Sequence, residues 1–128
     1  MRPHFTEEQA AELESGWRRL MLENKPWKEA TLSLDIVARM LGTTSRHVSM
    51  MLSRGNRSFR GEMRRLRLQE ARRLLEEDPS LGNAAVAARS GLGSPSNLAV
   101  LFREAFGVTT QEFRERVLQT KDPSFRHR

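Results

Sequence analysis

Between residues 39 and 73 the chain places ten arginines against two carboxylates, Glu62 and Glu70. That block carries +8, while residues 1–38 sum to −2 and residues 74–128 to zero, so the net +6 of the chain comes from one stretch. Guanidinium groups at this density suit a polyanion, because each offers phosphate oxygens a fixed fork of donors. Arg60, Arg64 and Arg67 recur at i, i+4 and i+7 and form a stripe on one helix face. Other chemistry has no comparable pattern. His4, His47 and His127 are scattered, and His47 has no Asp, Glu or His at i+4, so no metal set forms. The GLGS at 91–94 lacks the preceding strand and the full spacing of a phosphate-binding loop. No Ser/His/Asp or paired-carboxylate arrangement stands out, so neither an enzyme nor a cofactor is expected. With no cysteine, disulfides and thiolate metal sites are excluded.

The elements that must carry these arginines read as helices throughout. The chain of 128 residues is 38% hydrophobic and 30% charged, which fits a folded domain with a well-solvated surface. No apolar run approaches the roughly 18 residues of a membrane span, and MRPHFTEEQ lacks the apolar core of a signal peptide. A soluble, cytoplasmic, nucleoid-associated protein without membrane contact is the expectation. No segment alternates apolar and polar residues as a strand does, so the class is all-α. Thr6 to Gln9 reads as a capping box for a first helix with Ala10, Leu13, Trp17, Leu20 and Met21 on its inner face, ending near Asn24–Lys25–Pro26. Ser33 caps a second helix with Ile36, Val37, Met40 and Leu41 inward, stopped by Gly42. The third, SRHVSMMLSR, buries Val48, Met51 and Leu52 and exposes Ser45, Arg46, Ser49, Met50 and Ser53.

Two short helices joined by a Gly-containing turn form the helix-turn-helix pattern, whose second helix enters a major groove. After Gly55–Asn56, Ser58 caps a long helix to about Glu77 with Phe59, Met63, Leu66, Ala71, Leu74 and Leu75 on its apolar side. The pattern then repeats. Asn83 to Ser90, with Ala84, Val86 and Ala87 apolar, stops at Gly91, and Ser94–Pro95 opens a sixth helix. Its inner residues are Leu98, Leu101, Phe102 and Phe106, and Pro95, Ser96, Asn97, Ala99 and Val100 stay outside. A linking helix about 30 Å long would set two reading helices close to one duplex turn, ~34 Å, apart. Gly107 ends the sixth helix and Thr109 to Glu112 caps a seventh carrying Phe113 and Val117. The expected layout is one domain over 1–128: a first helix-turn-helix subdomain at 6–57, a linker helix at 58–77, a second subdomain at 78–118 and a frayed tail at 119–128.

Three blocks of this chain resemble the DNA-binding domain of AraC/XylS-type bacterial transcription regulators. LSLDIVARMLGTTSRHVSMML is similar to the family's first helix-turn-helix and MRRLRLQEARRLL to its linker helix. Gly91, LFREAFGVT and Glu112–Phe113–Arg114 are similar to its C-terminal signature. Leu92 stands where the family has an aromatic residue, Asn83 where it has an apolar one, and Thr110 where it has proline. The link SRGNRS is one residue shorter than usual.

The resemblance implies seven helices in two helix-turn-helix subdomains that bind duplex DNA and activate transcription through RNA polymerase. Its base-reading positions fall on Arg46, Ser49 and Met50, and on Pro95, Ser96, Asn97 and Val100. Arg46 suits guanine O6 and N7, Asn97 suits adenine N6 and N7, and Met50 suits a thymine methyl. Thr44, Ser45, Arg54, Arg57, Ser94 and Arg103 fall where backbone phosphates are reached, contacts that position without specifying sequence. The family usually joins this domain to an N-terminal sensor domain, so the chain is expected to be a stand-alone regulator or a piece of a longer, membrane-anchored one, monomeric as an isolated domain. The competing expectation is a protein-interaction module docking on RNA polymerase or a sensor partner, suggested by the uncharged face of the sixth helix.

Overall fold

The computed structural model describes residues 5–121. Among them are seven α-helices and no strand: α1 Glu7–Arg19, α2 Leu34–Met40, α3 Ser45–Arg54, α4 Phe59–Glu77, α5 Asn83–Ser90, α6 Pro95–Phe106 and α7 Thr110–Lys121. The chain is all-α. It divides into two compact units, Met1–Met63 and Arg64–Arg128.

In the first unit α1 begins at a reciprocal cap, with the Gln9 amide donating to Thr6 Oγ1 at 3.0 Å and the Thr6 amide donating to Gln9 Oε1 at 2.9 Å. The helix widens into a π-helical stretch, Leu20–Asn24, and Lys25, at φ 50°, turns the chain into a 3-10 turn, Pro26–Lys28. Trp27 is buried in that turn, its indole Nε1 donating to the Met21 carbonyl at 2.9 Å. The carbonyl comes from a helix end, where no further turn claims it.

Ser33 caps α2 through the Ile36 amide and Thr44 caps α3 through the His47 amide. Between them Gly42 sits at φ 69°, left-handed backbone that an L side chain enters only under strain. Val48, Met51 and Leu52 of α3 are buried as expected, with Ala10 and Trp17 of α1. The expected inner face of α2 is corrected. Val37 and Ala38 take the core, while Ile36 and Met40 are 41% and 54% exposed. In so short a helix one stripe is buried, and residues one position before Val37 and Leu41 lie about 100° round the axis from it. Ser58 caps α4, its Oγ accepting from the Gly61 amide at 3.1 Å.

The second unit is built on Leu68, Ala71, Leu74 and Leu75 of α4, packed with Val86 and Ala87 of α5, Leu92, and Leu98 and Phe102 of α6. Phe106 and Phe113 meet the Phe102 ring edge-on at centroid distances of 4.6 and 5.5 Å. Ala84 is exposed, and Ser90 is buried in the place of the third apolar residue expected of α5. Gly91, at φ 85°, closes α5. Ser94 caps α6 through the Asn97 amide at 3.1 Å, and Thr109 and Glu112 cap α7 reciprocally at 3.0 and 2.9 Å.

Three of the four departures from the AraC/XylS pattern are single residues and are absorbed locally. Leu92 joins the core in place of an aromatic ring, and Thr110 is buried in the first turn of α7. Asn83 Oδ1 accepts from Arg114 Nη2 at 2.5 Å, and the same nitrogen donates to the Leu81 carbonyl at 2.8 Å. Residues 119–121 of the expected tail continue α7, with Lys121 Nζ donating to the Glu77 carbonyl at 3.1 Å. The rest of that tail, with His127, and also His4, lie outside the described residues.

Candidate nucleic-acid interface

Because Val48, Met51 and Leu52 anchor α3, helical phase turns Arg46, Ser49, Met50 and Ser53 outward, and all four are exposed. Among the described residues no carboxylate pairs with Arg46, so its five guanidinium donors face solvent. Thr44 spends only an acceptor lone pair on its cap and keeps its hydroxyl hydrogen to donate. The Ser45 hydroxyl, by contrast, donates to Asp35 Oδ1. His47 packs locally: its ring stacks on Phe5 at 4.6 Å and its Nδ1 lies 3.3 Å from Thr43 Oγ1.

The arginines that follow α3 are engaged within the protein. Arg54 Nη1 lies 2.8 Å from the exposed Glu7 carboxylate, a solvated pair that a phosphate can replace. Arg57 is different. Its guanidinium is hydrogen-bonded to Glu14 and lies 3.2 Å from Glu62 Oε1, and the Glu14 hydrogen bond holds its pKa above the ordinary value against the opposing effect of burial. Arg57 therefore does not present a free cation.

On α6 the residues Pro95, Ser96, Asn97, Ala99 and Val100 are all exposed while Leu98 and Phe102 are fully buried. Ser94, like Thr44, keeps a hydroxyl hydrogen free of its cap. Asn97 is folded back on its own turn, with Nδ2 donating to the Leu92 carbonyl at 3.0 Å. A bidentate adenine contact needs that amide turned outward. Arg103 is exposed, and among the described residues no carboxylate pairs with it.

The arginine block is less uniform than its sequence. On α4 Arg60 and Arg64 are exposed, whereas Arg67 is half-buried and desolvation pushes its pKa down. Arg73 forks onto the buried Glu70 at 2.7 and 2.8 Å, and Arg72 lies over the Phe106 and Phe113 rings beside Glu76. Glu62 and Glu70, the only carboxylates of that block, are both buried. Sequence reasoning missed this inward turn because a carboxylate on a helix reads as solvated until its arginine partner is known.

A helix-turn-helix domain family matches residues 37–116, from the middle of α2 to the middle of α7. The chain belongs to the AraC-type helix-turn-helix family. That AraC-type family is a DNA-binding domain of transcription regulators rather than an enzyme, and DNA binding in transcription regulation is the function it gives this chain. The chain is similar to the HTH-type transcriptional regulator GlxA of Rhizobium meliloti, at 32% identity over 90 residues, 69% of this chain and 27% of that protein. It thus spans about a quarter of that relative's length. Its fold is similar to the C-terminal domain of AraT, a response regulator from Geobacillus stearothermophilus, with TM-score 0.70, 22% identity, and 82% and 84% of the two chains covered. The C-terminal domain of the two-component response regulator yesN from Fusobacterium nucleatum gives TM-score 0.65 at 18% identity, covering 79% of this chain and 95% of that one. Among the described residues no helix of this AraC-type domain is long and apolar enough to cross a membrane.

Proposed function

We propose that this AraC-type domain binds duplex DNA sequence-specifically and activates transcription, with α3 and α6 in successive major grooves. RNA polymerase is its protein partner on the nucleoid. The observation that carries the reading is Arg46, an exposed guanidinium in the first turn of α3 with no carboxylate partner among the described residues. It reads guanine O6 and N7, with Ser49 on a base edge and Met50 against a thymine methyl. In the second unit Pro95, Ser96, Asn97 and Val100 form the groove face. Thr44, Arg54, Ser94 and Arg103 hold phosphates. The two helices are unequal: α3 reads bases, whereas α6 follows backbone and groove shape.

The test is fluorescence anisotropy against a duplex selected from a random pool, repeated over a series of salt concentrations. Affinity falls by roughly 0.9 log unit per log unit of salt for each phosphate held. Absent or salt-insensitive binding overturns the proposal.

A further inference from the structure

The short link after α3 has a fixed course. The Leu52 carbonyl accepts from both the Gly55 and Arg57 amides, at 3.0 and 2.9 Å, and the Ser53 carbonyl accepts from the Asn56 amide at 3.0 Å. Asn56 takes left-handed backbone at φ 57°. A Cβ at Gly55 would stand 2.8 Å from Arg57 Nε, so the glycine leaves room for that side chain to run beside the link.

From this course the Arg57 guanidinium touches three helices. Nη2 bonds Glu14 of α1 and lies 3.7 Å from Met51 Sδ of α3, and Nη1 lies 3.2 Å from Glu62 Oε1 of α4. Glu62 is buried and the Arg57 side chain is 28% exposed. The apolar contacts of α3 resist its removal from the core but are non-directional, so they set its rotation only loosely. A planar fork closed between two carboxylates does set direction.

We propose that Arg57 is a positioning residue for α3: closed between Glu14 and Glu62, it fixes the angle at which that helix presents Arg46. This rests on the reading of α3 as the base-reading helix. Recognition geometry tolerates displacement of only about 0.5 Å, so a helix freed to rock loses base contacts before it loses phosphates.

The experiment measures affinity for the selected duplex and for a scrambled duplex of equal length, across salt, for the whole chain and for Arg57→Ala, Arg57→Lys and Glu14→Gln, well below each variant's Tm. Arg57→Ala and Glu14→Gln are both expected to lower the ratio of selected to scrambled affinity, by about tenfold, the scale of one misaligned bidentate contact. Scrambled-duplex affinity and the salt slope stay unchanged, and Arg57→Lys, which keeps charge but not the fork, recovers part of the ratio. A phosphate ligand behaves oppositely. Arg57→Ala would then weaken both duplexes equally and reduce the slope by about one unit, and Glu14→Gln would raise affinity by freeing the cation. Either result overturns the positioning role while leaving the α3 reading intact, as does a lowered Tm with an unchanged ratio. Wild-type protein that binds no duplex overturns both.

Discussion

The helices α3 and α6 open alike and diverge at once. Each starts from a Ser or Thr that accepts from the third amide of the helix, and each turns two or three apolar residues into its own unit. The α6 helix is anchored by Phe102, fully buried and met edge-on by two further rings over which Arg72 lies. The α3 helix has no phenylalanine, tyrosine or tryptophan of its own and is held by Val48, Met51 and Leu52, with the Arg57 fork at its far end. Outward, in their first turns, the order reverses: α3 presents Arg46, which no carboxylate pairs with among the described residues, whereas α6 presents proline, serine, alanine, valine and an amide folded inward, its exposed Arg103 standing two turns further on. The helix anchored by a buried phenylalanine is the one to which the proposed reading gives the weaker base chemistry. On the proposed reading, α3 relies on directed charge pairs where its apolar contacts alone would leave its rotation loosely set.

The contrast can be broken most forcefully at its anchor. Phe102→Ala should destabilise the second unit by about 3–5 kcal/mol, the cost of emptying a fully buried aromatic site, measured by urea unfolding followed by circular dichroism. A loss below 1 kcal/mol would show that the rings around it do not depend on Phe102. Next is the reading itself. Arg46→Ala should lose about 1–3 kcal/mol of discrimination at one base pair in a substitution scan of the selected duplex, with little change elsewhere in the site. Equal sensitivity of the two half-sites in wild-type protein would refute the inequality of α3 and α6.

Asn97→Ala sharpens the same point from the other side. It should cost about 1 kcal/mol of stability, the worth of its hydrogen bond to the Leu92 carbonyl, and leave base preference nearly unchanged. A selective loss at an adenine would instead show that the amide turns outward in the complex. The smallest effect is on acid stability. The Thr109 hydrogen bonds depress the Glu112 carboxyl below its ordinary 4.5, and Ser80 does the same for Asp78 below 3.8. A depressed folded-state pKa gives stability that is present above the unfolded value and lost as pH falls through the folded one. Helicity should therefore begin to drop as pH falls below about 4.5, and Glu112→Gln should shrink that drop. An unchanged acid profile would remove Glu112 from the cap's energetics.

Much of this fold is legible because its signals are local. Thr6, Ser33, Thr44, Ser58, Ser94 and Thr109 each cap an amide three residues ahead, and Gly42, Gly91 and Gly107 take the left-handed backbone expected of them. What stays hidden depends on partners far along the chain. Arg57 and Glu14 are 43 residues apart, and no local periodicity joins them. Ile36 and Met40 read as inner residues because they are apolar, yet the stripe that is buried is set by which face of α2 meets α3. The π-helical end of α1 and the seat of Trp27 have the same origin, since the indole meets a carbonyl that only the turned chain brings near. Arg46 was legible as an exposed cation, but the lack of a carboxylate beside it is a fact of three dimensions.

Both tryptophans, Trp17 and Trp27, are buried in the first unit, and the chain has no tyrosine. Intrinsic fluorescence is therefore a one-sided label that the molecule already carries. Trp17 meets the Phe59 ring edge-on at 6.4 Å, at the start of α4, and sees rearrangements around the Arg57 link. Events confined to α6 pass in optical silence, so the emission and the helical signal of the same sample separate the two halves without any added probe.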